Sequence, residues 1–117
     1  MRLTADPLCL NVRLRQGRWG YRLSHALVFG LLSRRARGRL ASQGIRHTER
    51  VFGLLQNGLV DEGYVVDLLA RLPAGDSELY SHPSVDEFSR ELQALVSPQV
   101  RACVQEQNIQ LIRYQDL

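Results

Sequence analysis

The chain has 117 residues, 44% hydrophobic and 23% charged, with a formal net charge of +3. That is enough for one domain and marks an ordinary soluble globular chain rather than a disordered or fibrous one. The longest apolar run, Leu27-Val28-Phe29-Gly30-Leu31-Leu32, falls far short of the roughly 20 residues a membrane span needs. The N-terminal residues also lack the apolar stretch and small-residue cleavage site of a signal peptide.

Residues 1–20 contain Pro7, Gly17 and Gly20 without long periodicity and read as a connecting segment with at most one short strand. From Tyr21 the pattern changes. Leu23, Leu27, Val28, Leu31 and Leu32 form one stripe of an amphipathic helix expected over 21–43, with Gly44 as its stop and Gly30 and Gly38 as points where it bends or breaks. Its second half, Ser33-Arg34-Arg35-Ala36-Arg37-Gly38-Arg39, is a cationic patch. All fifteen basic residues are Arg. Residues 1–50 hold eleven Arg against Asp6 and Glu49, a balance of +9, and residues 51–117 a balance of −6. Such an asymmetry suits a solvated face, internal pairing or an acidic partner. Nucleic acid is the weakest reading, because no aromatic side chain interleaves the arginines to stack on bases.

From residue 50 onward the expected order is strand, helix, strand, two helices, strand. Arg50-Val51-Phe52-Gly53 is a short strand. Asp61 caps a helix over 62–72, with Val65, Leu68, Leu69 and Leu72 on its buried side, ended by Pro73-Ala74-Gly75. Glu78-Leu79-Tyr80-Ser81 is the next strand. Ser84-Val85-Asp86-Glu87 fits a capping box opening a helix that carries Phe88, Leu92, Leu95 and Val96. Ser97-Pro98 opens another helix through about residue 107, and 109–114 is a terminal strand. Strands separated by helices imply parallel pairing: the α/β class, here a portion of a larger fold.

Ligands of parallel α/β folds bind at the carboxyl ends of strands. That rule singles out His82, at the end of the strand 78–81 and stiffened by Pro83, as a candidate for proton transfer or ligation, or else a loop histidine that bonds the helix start. Glu78, at the start of that strand, lies too far away to act with it and is expected to contact an Arg. His25, inside the first helix, and His47, at the amino end of the first strand, are structural rather than ligating. Two cysteines, Cys9 and Cys103, are too few for a disulfide framework or a structural zinc site, which favours a reducing, cytoplasmic setting. Cys103 reads as a small buried hydrophobe. No P-loop, G-x-G-x-x-G or G-x-S-x-G motif occurs.

Three separated blocks go further: Gly53-Leu54-Leu55-Gln56, the run Leu72-Pro73-Ala74-Gly75-Asp76-Ser77-Glu78-Leu79-Tyr80-Ser81-His82-Pro83, and Ile109-Gln110-Leu111-Ile112-Arg113-Tyr114-Gln115-Asp116-Leu117. In order and spacing, 12–117 resembles the C-terminal half of YdjC-like carbohydrate deacetylases of the ChbG/HpnK type, and within them the hopanoid-biosynthesis-associated branch. The resemblance implies a distorted (β/α) barrel and a metal-dependent hydrolase that removes the N-acetyl group from an amino sugar. It further implies a divalent ion, Mg or Zn, held by one Asp and two His in the complete family enzyme. The blocks supplying those ligands lie outside this match. The expectation is therefore a single partial domain that binds no metal and is inactive alone, needing a complementing N-terminal polypeptide or assembly as a homo-oligomer. Only His82 carries over as a catalytic residue, through the family's His-Pro; Ser84 departs from the Gly that often follows. The alternative expectation is a non-catalytic remnant, or an interaction module binding an acidic partner through the Arg-rich helix.

Overall fold

The computed structural model describes residues 19–56 and 58–117. Among them are four α-helices, α1 (Trp19–Ser42), α2 (Glu62–Leu69), α3 (Ser89–Val96) and α4 (Pro98–Glu106), and two strands, β1 (Arg50–Phe52) and β2 (Ser77–Leu79). Single 3₁₀ turns occupy Leu54–Gln56 and Tyr114–Asp116. The strands pair in parallel with Val51 opposite Glu78 and Phe52 opposite Leu79. Glu49 N–H to Asp76 O (2.9 Å) and Tyr80 N–H to Phe52 O (2.8 Å) extend the ladder at both ends. Parallel pairing requires a crossover, and the segment carrying α2 supplies it, so the chain is α/β as its pattern implies.

The described chain divides into two compact units. One takes in α1, β1, the 75–80 segment with β2, and residues 113–117; the other comprises 56–74 and 81–112, with α2, α3 and α4. In the first, Leu40, Val51 and Phe52 are buried, and Gly75 (φ +105°) turns the chain into β2 beside the Glu49 carboxylate. In the second, Val60, Tyr64, Val65, Leu68, Ala94 and Val100 form the apolar core.

The expected connecting segment 1–20 lies outside the described residues apart from its last two, which already belong to α1. α1 runs for 24 residues straight through Gly30 and Gly38. A glycine weakens a helix by about 1 kcal/mol relative to Ala without removing its backbone bonds, so the expected break does not occur. The helix ends where anticipated, at Gly44 (φ +65°), with Ile45 N–H on Leu40 O (3.0 Å) and Gly44 N–H on Ala41 O (3.2 Å), the paired bonds of a Schellman stop. The expected buried stripe is corrected where it is described. Leu23 and Leu27 lie outside the described side chains, Val28, Leu31 and Leu32 are 56%, 59% and 54% exposed, and among the described side chains of α1 Ser33 and Leu40 are the buried ones.

The terminal strand expected over 109–114 does not form. Asn108 (φ 51°) ends α4, and Ile109 N–H is spent on Val104 O (2.9 Å). Arg113 N–H and Nε then close onto Asp116 Oδ2, both at 3.1 Å. Side chains hold this tail instead of a ladder: the Tyr114 hydroxyl donates to Glu78, and Arg46 donates to the Leu117 carbonyl oxygen. Alternating apolar residues make a strand only where a neighbour accepts their backbone bonds.

Candidate active site

His82 sits three residues beyond β2, because the strand ends at Leu79 rather than at Ser81. Tyr80 keeps one ladder bond, and the chain then turns through Pro83 and Ser84 toward α3. The expected capping box is corrected in its detail. Ser84 Oγ accepts from Phe88 N–H (2.9 Å), four residues on, so 84–88 is a turn, and α3 begins at Ser89 with Phe88 as an N-cap that makes no side-chain capping bond. The Phe88 ring lies against the His82 imidazole, with centroids 5.9 Å apart and planes inclined at 39°. A side chain at Gly58 (φ +77°) would approach Phe88 Cε1 to 3.1 Å. Gly58, Phe88 and His82 therefore form one packed series.

The half-buried His82 loop is tied to the helices by a residue the sequence reading passed over. Glu91, at 0% exposure, accepts from His82 N–H through Oε2 (2.5 Å) and from Val60 N–H through Oε1 (3.3 Å). The apolar residues the sequence places on this helix are Phe88, Leu92, Leu95 and Val96, yet Leu95 and Val96 are exposed and Glu91 and Ala94 are the buried positions of α3. A first-turn acid ordinarily serves its own helix's unsatisfied N–H groups. Here it serves donors from two loops. The signal was an acid at helical spacing between Phe88 and Ala94, one turn from each.

The neighbouring helices begin as the sequence indicates. Asp61 Oδ1 accepts from Tyr64 N–H (2.9 Å) at the start of α2. Ser97 Oγ accepts from Gln99 and Val100 N–H (3.1 and 3.3 Å) at the start of α4, with Pro98 in its first turn. Regular α2 stops at Leu69 rather than residue 72, its end tightening into Arg71 N–H to Leu68 O (3.0 Å) and Leu72 N–H to Leu69 O (3.3 Å) ahead of Pro73. Ser97 Oγ also donates to Glu62, at the edge of an open groove lined by Asp61, Glu62, Arg90, Gln93, Val96, Ser97 and Pro98. His82 is not part of that groove.

The other candidates lie elsewhere. His25 falls within α1. His47, half-buried ahead of β1, has Nδ1 2.9 Å from the Thr48 carbonyl oxygen, to which its N–H donates. Glu78 is held by Tyr114. Cys103 is a free, half-buried thiol rather than a fully buried one. Arg34, Arg35, Arg37 and Arg39 are exposed, and Arg37 Nη2 donates to Glu49 O (3.2 Å). Among the described residues no three His, Cys, Asp or Glu side chains converge to hold a metal ion, so these residues do not by themselves fit the divalent ion the resemblance implies. No helix among them is long and apolar enough to cross a membrane.

The described chain is thus α/β, with a parallel pair of strands and helices between and after them. The particular family is given by comparison: the model of YdjC-like protein matches residues 1–106, and the chain belongs to that family. The match takes in the Gly53–Gln56 and Leu72–Pro83 blocks and leaves the terminal block, 109–117, outside it. No curated protein and no solved structure matches the chain.

Proposed function

We propose that this chain is the C-terminal part of a cytoplasmic carbohydrate deacetylase that hydrolyses the N-acetyl group of an amino sugar. In this reading it belongs to the ChbG/HpnK type and its hopanoid-associated branch. The observation that carries the reading is the family match spanning most of the chain and including the His82 loop. In the reaction, water adds to the amide carbonyl, the C–N bond breaks, and acetate and a free amine leave. His82 contacts the substrate or carries a proton to the departing nitrogen, a role that an imidazole held at one point by packing can fill. The divalent ion belongs to the complete enzyme, on side chains other than those described. The chain alone is inactive, and a complementing N-terminal polypeptide restores turnover.

The test is release of acetate from a simple N-acetylated amino sugar, by the chain alone and by the chain mixed with a polypeptide carrying the blocks that supply the family's Asp and two His ligands. Activity is expected only in the mixture, and His82→Ala should lower it by about 10²–10⁴-fold. Undiminished activity in the His82→Ala mixture would overturn the role of His82, and turnover by the chain alone would overturn the need for a complement.

One observation favours a second reading, an interaction module for an acidic partner. The outer side of α1 presents Arg34, Arg35 and Arg39 beside exposed Val28, Leu31 and Leu32. That reading requires salt-sensitive binding that Arg34→Ala/Arg35→Ala weakens.

A further inference from the structure

We infer that Glu91 is a positioning residue: a buried clamp that fixes the backbone of His82, and with it the imidazole, by tying the loop after β2 to the loop ahead of α2. The functional half of this inference rests on the deacetylase reading; the clamp itself does not. Glu91 is wholly buried, and the two donors recorded for its carboxyl group are backbone N–H groups rather than a cation, His82 at 2.5 Å and Val60 at 3.3 Å. A carboxylate removed from water without a counter-ion is costly, and hydrogen bonds must offset that cost. Stability alone would be served better there by an apolar residue of the same size, because Val65, Leu68 and Ala94 already form the unit's apolar core. What the carboxylate supplies and an apolar side chain does not is a fixed acceptor for two loops that have no regular backbone pairing at Val60 or His82. In chain order Val60 follows the 3₁₀ turn after β1, and His82 follows β2. The imidazole is then limited from two directions. The backbone N–H is pinned by Glu91, and the ring packs against Phe88, which is itself backed by Gly58.

The test compares Glu91→Met, which keeps the volume and removes both acceptors, with Glu91→Gln, which retains one. In the unmodified chain the His82 amide should exchange slowly with solvent although it lies outside any regular element. In Glu91→Met it should exchange about 10–100-fold faster, while the Tyr80 amide, bonded to Phe52 O, keeps its rate. In the complemented enzyme, Glu91→Met should lower kcat about tenfold or more with KM unchanged, and Glu91→Gln should recover most of that loss. A purely structural role would also lower apparent kcat at constant KM, by shrinking the folded fraction. Per folded enzyme, kcat would then equal that of the unmodified enzyme, so kcat is normalised to the folded amount. Equal His82 exchange rates in the folded Glu91→Met and unmodified chains would overturn the clamp. So would rapid His82 exchange in the unmodified chain, a result obtainable even if Glu91→Met does not fold. Loss of activity in His82→Ala with full activity in Glu91→Met would overturn the positioning role while sparing the deacetylase reading. If His82→Ala leaves the enzyme fully active, that reading of His82 falls, and the exchange rates still decide the clamp.

Discussion

In the unit built from 56–74 and 81–112, two helices begin where a side chain tells them to. Asp61 and Ser97 each accept backbone N–H groups that would otherwise go unsatisfied, and Pro98 follows its cap as the sequence anticipates. In the unit that carries the sheet, α1 also stops on its glycine signal, yet Val28, Leu31 and Leu32 of its apolar stripe face solvent; the expected strand over 109–114, whose residues are divided between the two units, is absent. Helix ends are decided by groups a few residues apart, whichever unit they occupy. Which side of a helix is buried, and whether an extended segment joins a sheet, depends on partners far along the chain.

The largest test of this contrast is a cavity in each core. Phe52→Ala, in β1, and Leu68→Ala, in α2, should each destabilise their own unit by about 2–5 kcal/mol, read by urea unfolding and amide exchange. If the two compact units are also separate cooperative units, each substitution should speed exchange mainly in its own. Equal acceleration in both would show that they unfold together.

Gly58→Ala sharpens the comparison at the site. Its positive φ and the 3.1 Å approach to Phe88 Cε1 predict a loss of about 1–2 kcal/mol, with displacement of the Phe88 and His82 ring signals in NMR spectra. Ser97→Ala should cost about 1 kcal/mol through loss of the α4 cap, seen as faster exchange at Gln99 and Val100. The smallest effect is expected where the sequence pattern gives the greatest importance. Leu31→Ser and Leu32→Ser should each change stability by no more than about 0.5 kcal/mol, because both side chains are more than half exposed. A loss several times larger for either would restore the stripe to the core and break the contrast.

The candidate site divides in the same way. That His82 lies in the loop between β2 and α3 was legible, because the proline after it disfavours regular structure there, although the strand ends two residues earlier than its pattern suggests. Glu91 was not, because an acid in a helix's first turn has a local use, and nothing in its neighbours reveals that donors from Val60 and His82 will meet it. Asn108 carried a weaker local signal. Its left-handed conformation ends α4 and commits the Ile109 N–H to that stop, against the alternation in 109–114 that suggests a strand.

The sequence by itself determined the alternation of strands and helices, their parallel pairing, the caps at Asp61 and Ser97, the stop at Gly44 and the family to which the chain belongs. The caps and the stop rest on contacts within a few residues, the parallel pairing on the rule that strands separated by a helix cross over, and the family on blocks kept in order. Only the tertiary structure decided that α1 turns Leu40 rather than Leu32 inward, that the tail from 109 is held by side chains, and that a buried glutamate grips the His82 loop. Each of those depends on which distant backbone or side chain arrives to share the burial, and periodicity along one segment carries no record of its partner.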